Sequence, residues 1–210
     1  MNEVVLYDYW RSSASYRVRI ALNLLGVDYQ AVPINLLEGA HKTPDYLTLN
    51  PQGFVPTLVI DGRTLTQSLA IIEYLAELRP EYGLLPPDIA DRQKVRALAY
   101  AVAMDIHPIC NMHVASHLMT MTDKPDAREV WMKHFISGGL GKLEAMIGKA
   151  DGAFSLGDAP TMADLCLVPQ VYNARRWGVE LTAFKRIVAI DARCADLPAF
   201  QAAHPDRVKP

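Results

Sequence analysis

The strand pattern Val4-Val5-Leu6-Tyr7-Asp8-Tyr9 runs into a serine-rich turn and then into a helical pattern that stops at Gly26. This switch of period constrains the fold strongly, because a strand that feeds directly into an amphipathic helix has to lay that helix against its own sheet. The turn and first part of the helix read Arg11-Ser12-Ser13-Ala14-Ser15-Tyr16-Arg17-Val18-Arg19-Ile20-Ala21-Leu22. The first turn of a helix presents unpaired N–H groups and a partial positive charge. Capping is the ordinary use of a serine there. A hydroxyl at the same place can also donate to a bound anion such as a thiolate.

The pattern continues as an α/β unit. The helix spans Ser15 to Leu25, with Val18, Leu22 and Leu25 on one face and Gly26 as its stop. Tyr29 to Ile34 reads as a second strand. Thr57 to Ile60 and Arg63 to Thr66 flank Asp61-Gly62, a strong two-residue hairpin signal. Gln67 to Leu78 follows as a helix that buries Leu69, Ile72, Leu75 and Leu78. The order βαβ then ββα is that of a thioredoxin-like domain. Leu84-Leu85-Pro86-Pro87 reads as an extended linker.

Asp88 is placed to cap a long helix from about Asp88 to Met119, which Pro108 breaks or kinks because proline removes a helical donor. Further helical patterns cover about Asp126 to Gly148 and Thr161 to Trp177, with shorter pieces after Arg186. No strand pattern appears in this half. The expected fold class is therefore α/β plus all-α: a thioredoxin-like N-terminal domain over residues 1–82, then an all-helical C-terminal domain over 88–210.

Composition narrows the class of partner. Half of the 210 residues are hydrophobic and the formal net charge is -2, with no long block of either sign. This argues against nucleic acid or a membrane surface as the main partner. No apolar stretch approaches the roughly 20 residues of a membrane span, and no signal peptide is expected. Cys110, Cys166 and Cys194 are odd in number and lack a Cys-x-x-Cys pair. They read as reduced thiols of a cytoplasmic protein, not as a disulfide frame. The histidines show no metal-ligand spacing, so no metal is expected.

Ser12 to Leu22 resembles the Ser-Ser-Cys-x-x-Arg-Val-Arg-Ile-Ala-Leu signature of zeta-class glutathione transferases. Asn50-Pro51-Gln52-Gly53-Phe54-Val55-Pro56-Thr57-Leu58, Gln67-Ser68-Leu69-Ala70-Ile71-Ile72-Glu73-Tyr74-Leu75 and Asp164-Leu165-Cys166-Leu167-Val168-Pro169-Gln170-Val171 are similar to that class in the same order. Together they span nearly the whole chain. One position departs from the pattern: Ala14 stands where the family has cysteine.

The resemblance implies the glutathione transferase fold, glutathione as cofactor and a homodimer. It implies Ser12 as the hydroxyl that activates the glutathione thiol, with Ser13 in reserve and Ser15 as a helix cap. It implies a cis Val55–Pro56 bond that turns the Val55 backbone toward the cysteinyl part of glutathione, with Gln52 toward its glycine end. Gln67 and Ser68 would face the γ-glutamyl group, although Ser68 also suits a plain helix cap. His107 and Asn111 would add hydrogen bonds to glutathione. Arg176 matches the family's substrate arginine, and Arg11, beside Ser12, is a second candidate for a substrate carboxylate. Arg17 and Arg19 are expected in surface or interdomain ion pairs, and Arg175 is as readily solvated. Thr161 and Asp164 form a capping pattern that holds a helix.

The activity implied is glutathione-dependent cis–trans isomerisation of a maleyl diketo acid: maleylacetoacetate to fumarylacetoacetate, in tyrosine and phenylalanine catabolism. Thiolate addition makes the double bond single, the bond rotates, and expulsion of the thiolate gives the fumaryl product. The rival activities are maleylpyruvate isomerisation and transfer to α-haloacids. A rival of another class is a non-catalytic protein that binds glutathione or other ligands. Met112-His113 stands where bacterial maleylpyruvate isomerases place an arginine pair, which weakens that alternative.

Overall fold

Strand β1 (Val5–Asp8) alternates its side chains between two faces, as the pleat requires. Leu6 is fully buried on one face, and Tyr7 and Tyr9 lie on the other, in a cluster with Tyr46 and Val55. A computed structural model describes residues 4–148 and 152–210. They divide into two units, Met1–Tyr82 with Asp196–Pro210, and Gly83–Ala195.

In the first unit β1 is followed by α1 (Ser13–Leu24), β2 (Gln30–Pro33), α2 (Pro44–Leu49), β3 (Thr57–Ile60), β4 (Arg63–Thr66) and α3 (Ser68–Leu78). The four strands form one sheet in the order β2-β1-β3-β4. β1 pairs parallel to β2, with Leu6 opposite Ala31, and antiparallel to β3, with Leu6 opposite Leu58. β3 and β4 form a hairpin with Leu58 opposite Leu65. Asp61 (φ 48) and Gly62 (φ 73) turn it. Two consecutive positive φ values are what a type I′ turn needs, and an Asp-Gly pair adopts them at low cost. α1 buries Val18, Ile20, Ala21 and Leu22, and α3 buries Ile71, Ile72 and Leu75. This is the thioredoxin-like arrangement that the order of patterns implies. Both hairpin strands lie where the sequence reading set them, and α1 begins two residues earlier than expected.

Two short helices complete the first unit, α9 (Pro198–Ala203) and α10 (Pro205–Val208), and α1 packs on α9. Arg17 and Arg19 correct the sequence reading. Both are buried, and Arg19 pairs inside the first unit with Asp8 of β1 at 2.7 Å.

The second unit is helical: α4 (Ile89–Tyr100), a π-helical segment (Ala101–Ile106), α5 (Met112–Leu118), α6 (Ala127–Ile147), α7 (Met162–Arg176) and α8 (Lys185–Ala195). Among the described residues it contains no strand. Asp88 caps α4 by accepting from the Asp91 N–H. The single long helix expected up to Met119 is divided: the His107 N–H reaches back to the Val102 carbonyl, and Pro108 stops the run. Gly139 lets α6 approach this segment, because a Cβ there would come within 2.4 Å of Ile106. Arg175 forms an ion pair with Asp191 at 2.6 Å.

α7 is the most deeply placed helix, buried without a break from Met162 to Val171. Its N-terminus is held as the capping pattern implies. The Asp164 carboxylate accepts from the Thr161 N–H and hydroxyl and from the Ser155 N–H, at 2.8, 3.0 and 2.8 Å. Burial raises the Asp164 pKa against the pull of these hydrogen bonds. Asp164→Ala strands two buried N–H donors, each worth roughly 1–3 kcal/mol, so unfolding in urea should show a loss of about 2 kcal/mol or more. A group whose folded pKa is raised loses stability as pH climbs from its unfolded value of about 3.9 through its folded one. Asp164→Asn should therefore flatten the fall in stability above that value.

Candidate active site

Sheet topology gathers three of the singled-out segments. β1 and β3 are antiparallel with Tyr7 opposite Thr57, so the end of β1 lies beside the start of β3. Thr57 also faces Thr66, so the start of β3 lies beside the end of β4. The loop to Ser12, the Val55-Pro56 pair and the Gln67-Ser68 pair therefore leave the sheet at one end.

Ser12 is the N-cap of α1, and its Oγ accepts from the Ser15 N–H at 3.2 Å. Its backbone N–H donates to the Tyr9 carbonyl at 2.8 Å. Among the described residues the Ser12 hydroxyl proton has no acceptor. The oxygen thus faces the helix and the proton is left to face elsewhere, at the positive end of the helix. Ser15, expected as the cap, is instead fully buried inside the first turn. Ser13 is the first residue of α1 and half-buried. Arg11 is half-buried and stacks on the Trp10 ring at 5.3 Å.

The Val55–Pro56 bond is cis. The carbonyl just before Val55, that of Phe54, is held twice. The Tyr46 hydroxyl donates to it at 2.6 Å and the Asn50 side-chain amide at 2.8 Å. The Tyr46 and Thr57 hydroxyls lie 3.0 Å apart, which ties α2 to the start of β3. Desolvation raises the Tyr46 pKa, so this phenol remains a donor. Sequence reasoning missed Tyr46, and it quoted Asn50 only as the start of the Asn50–Leu58 motif, without a role. The only signal was Thr43-Pro44, a cap followed by proline at the first helical position, which marks the start of α2.

Gln67 has φ 65 and ψ 106, a backbone region that non-glycine residues avoid. Such outliers cost roughly 1–3 kcal/mol and gather at functional sites. Gln67 occupies the N-cap position of α3 without a side-chain capping bond, and Ser68 is the first helical residue, not the cap. The Gln67 Nε2 donates to the Gln52 Oε1 at 2.8 Å. Two residues that the sequence singled out separately therefore meet, and the Gln52 amide N–H groups remain for a ligand. His41 was passed over in the sequence. Its backbone carbonyl lies 3.0 Å from where a Gly53 Cβ would be, and its half-buried ring has a pKa lowered by desolvation and by Lys42.

The remaining candidates belong to the second unit. Arg176 is exposed near the end of α7 and donates to the Asn173 side chain at 3.3 Å. His107 ends the π-helical segment and Asn111 holds the N-cap position of α5. The Trp131 indole donates to the Ile109 carbonyl between them at 3.0 Å, fixing this loop to α6. Cys110 is buried and its thiol is pushed up to about 11 by desolvation. Among the described residues no group of three or more His, Cys, Asp or Glu side chains is arranged to hold a metal ion.

Two family models match the chain: the glutathione S-transferase N-terminal domain over residues 2–77 and the glutathione S-transferase C-terminal domain over residues 125–204. The maleylacetoacetate isomerase of Rhizobium meliloti (strain 1021) is 64% identical over 211 residues, covering 100% of this chain and 99% of that one. A holo structure of maleylpyruvate isomerase, described as a bacterial zeta-class glutathione S-transferase, superposes with a TM-score of 0.94. It has 44% identity and covers 98% of each chain. The maleylacetoacetate isomerase of Anaeromyxobacter dehalogenans 2CP-1, with glutathione bound in its active site, gives a TM-score of 0.89. It has 44% identity over 99% of this chain and 97% of that one.

The double grip on Phe54 is directly testable. Tyr46→Phe leaves the carbonyl its Asn50 partner and should cost about 0.5–1.5 kcal/mol. Adding Asn50→Ala strands the carbonyl, so the double variant should lose more than the sum of the two single losses. Equilibrium urea unfolding of the three variants checks the coupling.

Proposed function

This chain belongs to the maleylacetoacetate isomerase family of zeta-class glutathione transferases, and from that premise we propose that it isomerises maleylacetoacetate to fumarylacetoacetate with glutathione as cofactor. The step would serve tyrosine and phenylalanine catabolism. The observation that carries the reading is Ser12. Its oxygen is engaged by the helix it caps, and its proton is left to donate at a positive helix end. That donor fits an anionic sulfur.

Bound glutathione supplies the thiol nucleophile for reversible addition to the substrate double bond. The protein's part is to bind and to bias. Ser12 donates to the sulfur and favours its ionised form, with Ser13 as the alternative hydroxyl. Val55, presented at the cis Pro56, offers its backbone to the cysteinyl unit in the manner of an added strand. Gln52 orients the glycine end, and Gln67 with Ser68, at the start of α3, takes the γ-glutamyl end. His107 and Asn111 add hydrogen bonds to the same ligand. Arg11 and Arg176 hold the substrate carboxylates. In this reading residues 1–82 form the glutathione-binding domain, with the segment 196–210 belonging to the same unit, and the helices from residue 88 to 195 form the substrate domain.

We further propose a cytoplasmic homodimer whose partners are small molecules, with neither nucleic acid nor a membrane as a ligand. The balanced charge supports this, and no described helix is long and apolar enough to cross a membrane.

Maleylpyruvate is the second substrate to consider, because a maleylpyruvate isomerase superposes closely. Transfer to an α-haloacid is a third activity, and ligand binding without catalysis is the remaining rival. One assay separates them: purified protein with maleylacetoacetate, maleylpyruvate or dichloroacetate, each with and without glutathione. The expected result is glutathione-dependent turnover, with the highest kcat/KM on maleylacetoacetate. Higher kcat/KM on either other substrate would reassign the activity, and glutathione binding without turnover would leave a binding protein.

Ser12→Ala should lower kcat by about 10²–10³, the usual cost of losing one preorganised donor to a developing anion, while glutathione affinity changes little. Steady-state kinetics together with calorimetric titration of glutathione checks this. A severe Ser13→Ala beside a silent Ser12→Ala would move the role by one residue. Arg176→Ala should lower kcat/KM for the maleyl acid roughly tenfold or more, as for a lost hydrogen bond to a charged group. Its glutathione titration should match that of the wild type, and an unchanged kcat/KM would remove Arg176 from the substrate site.

A further inference from the structure

The segment 196–210 lies in the first unit, and its contacts converge on the residues that lead into Ser12. The Ala203 carbonyl accepts from the Arg19 Nε at 3.1 Å. The same guanidinium holds both Asp8 carboxylate oxygens through Nη1, at 2.8 and 2.7 Å, and the Trp10 carbonyl through Nη2, at 2.9 Å. A guanidinium is planar, so fixing Nε and Nη1 also fixes where Nη2 points. The tail carbonyl thereby helps to set the position of the Trp10 backbone.

The Trp10 ring is gripped as well. The Lys209 ammonium lies 5.4 Å from its centroid, and the Arg11 guanidinium lies 5.3 Å from it. Further back, the Tyr16 ring meets His204 edge-on, and the Asn23 amide donates to the Ala199 carbonyl at 3.1 Å. A loop places a functional group less precisely than a strand or a helix does, unless its side chains and carbonyls are locked by neighbours. Here the tail reaches the Trp10 step twice, directly through Lys209 on the ring and indirectly through the Ala203 carbonyl that orients Arg19.

We propose that residues 196–210 act as a strap that fixes the loop from Tyr9 to Ser12 and so aims the Ser12 hydroxyl, with Lys209 as the outer anchor acting through the Trp10 indole. The inference rests on the reading of Ser12 as the donor to the glutathione sulfur. Lys209 is a positioning residue: it acts on Ser12 through Trp10.

The test reads the pKa of glutathione bound to the enzyme, followed by thiolate absorbance against pH, together with kcat and KM. Lys209 is exposed, so its substitution leaves the core intact. Lys209→Gln should lower kcat about two- to fivefold, with KM for glutathione nearly unchanged, as for loss of an exposed cation–π contact. The bound thiol pKa should rise by roughly half a unit. Lys209→Arg, which keeps the cation, should restore both. In a Trp10→Leu background Lys209→Gln should add nothing, because the two act in series. Equal losses in both backgrounds would mean that the lysine acts by charge alone and would overturn the strap. Ser12→Ala separates the two levels. If it leaves the bound thiol pKa unmoved, the reading of Ser12 fails and the strap's role falls with it. If Ser12→Ala moves that pKa and Lys209→Gln does not, only the strap is overturned.

Discussion

Arg19 commits all three guanidinium nitrogens inside the first unit, to Asp8, to the Trp10 carbonyl and to the Ala203 carbonyl. Its side chain is 1% exposed and that of Asp8 is 7% exposed. Taking both ions out of water is expensive, and their attraction offsets this only when the geometry is good and the remaining donors are satisfied. Both conditions hold. The pair joins β1 to α1 across the very turn that carries Ser12, and the two carbonyl contacts add the loop and the tail. A hydrophobic pair of similar volume could fill the same space, but it could not direct a donor at the Trp10 carbonyl. The ion pair is therefore better understood as a device that sets geometry than as a net source of stability.

The same economy of atoms appears at the other end of the turn. Helix capping and anion binding are often treated as competing uses of one serine. At Ser12 the two uses do not conflict, since the cap engages the oxygen as acceptor and leaves the hydroxyl proton without an acceptor among the described residues. Accepting from the Ser15 N–H also polarises the hydroxyl and strengthens it as a donor. The antiparallel pairings of β1 with β3 and of β3 with β4 bring the cis Val55–Pro56 bond and the strained Gln67 to the same end of the sheet.

What the sequence made legible follows from locality. The hairpin strands were readable because Asp61-Gly62 marks their turn and short runs rich in apolar and β-branched residues flank it. The start of α4 was readable from Asp88, and the capping pattern of α7 from Thr161 and Asp164. The deep burial of Arg19 was not. Its partners lie 11 and 184 residues away, and nothing beside an arginine in the sequence announces a carboxylate on the neighbouring strand. α2 escaped because six residues are too few to carry a helical period. The sequence leaves Ser15 as the expected cap and Ser12 as the activating hydroxyl, because three serines within four positions satisfy the same capping preference. Only the observed backbone, extended at Ser12 with φ -68 and ψ 122, decides among them. The meeting of Gln52 with Gln67 depended on sheet register, which composition does not encode.

The cysteines bear on where the reactive sulfur must come from. Cys110, Cys166 and Cys194 are all buried and unbridged. Desolvation pushes the Cys110 thiol up to about 11, and it raises the Cys194 thiol too, with Asp164 and Asp191 adding to the effect. A thiol is a nucleophile only as its thiolate, so neither of these two side chains offers one near neutral pH. At position 14, two residues after the capping serine, alanine stands where the zeta-class signature has cysteine, so the residues of the first turn of α1 supply no thiol of their own. The helix N-terminus and the Ser12 proton are nevertheless arranged to favour an anion. Under the proposed function, a turn that favours an anion and carries no cysteine of its own leaves the thiol to be brought by a ligand, which is the place glutathione takes in that reaction.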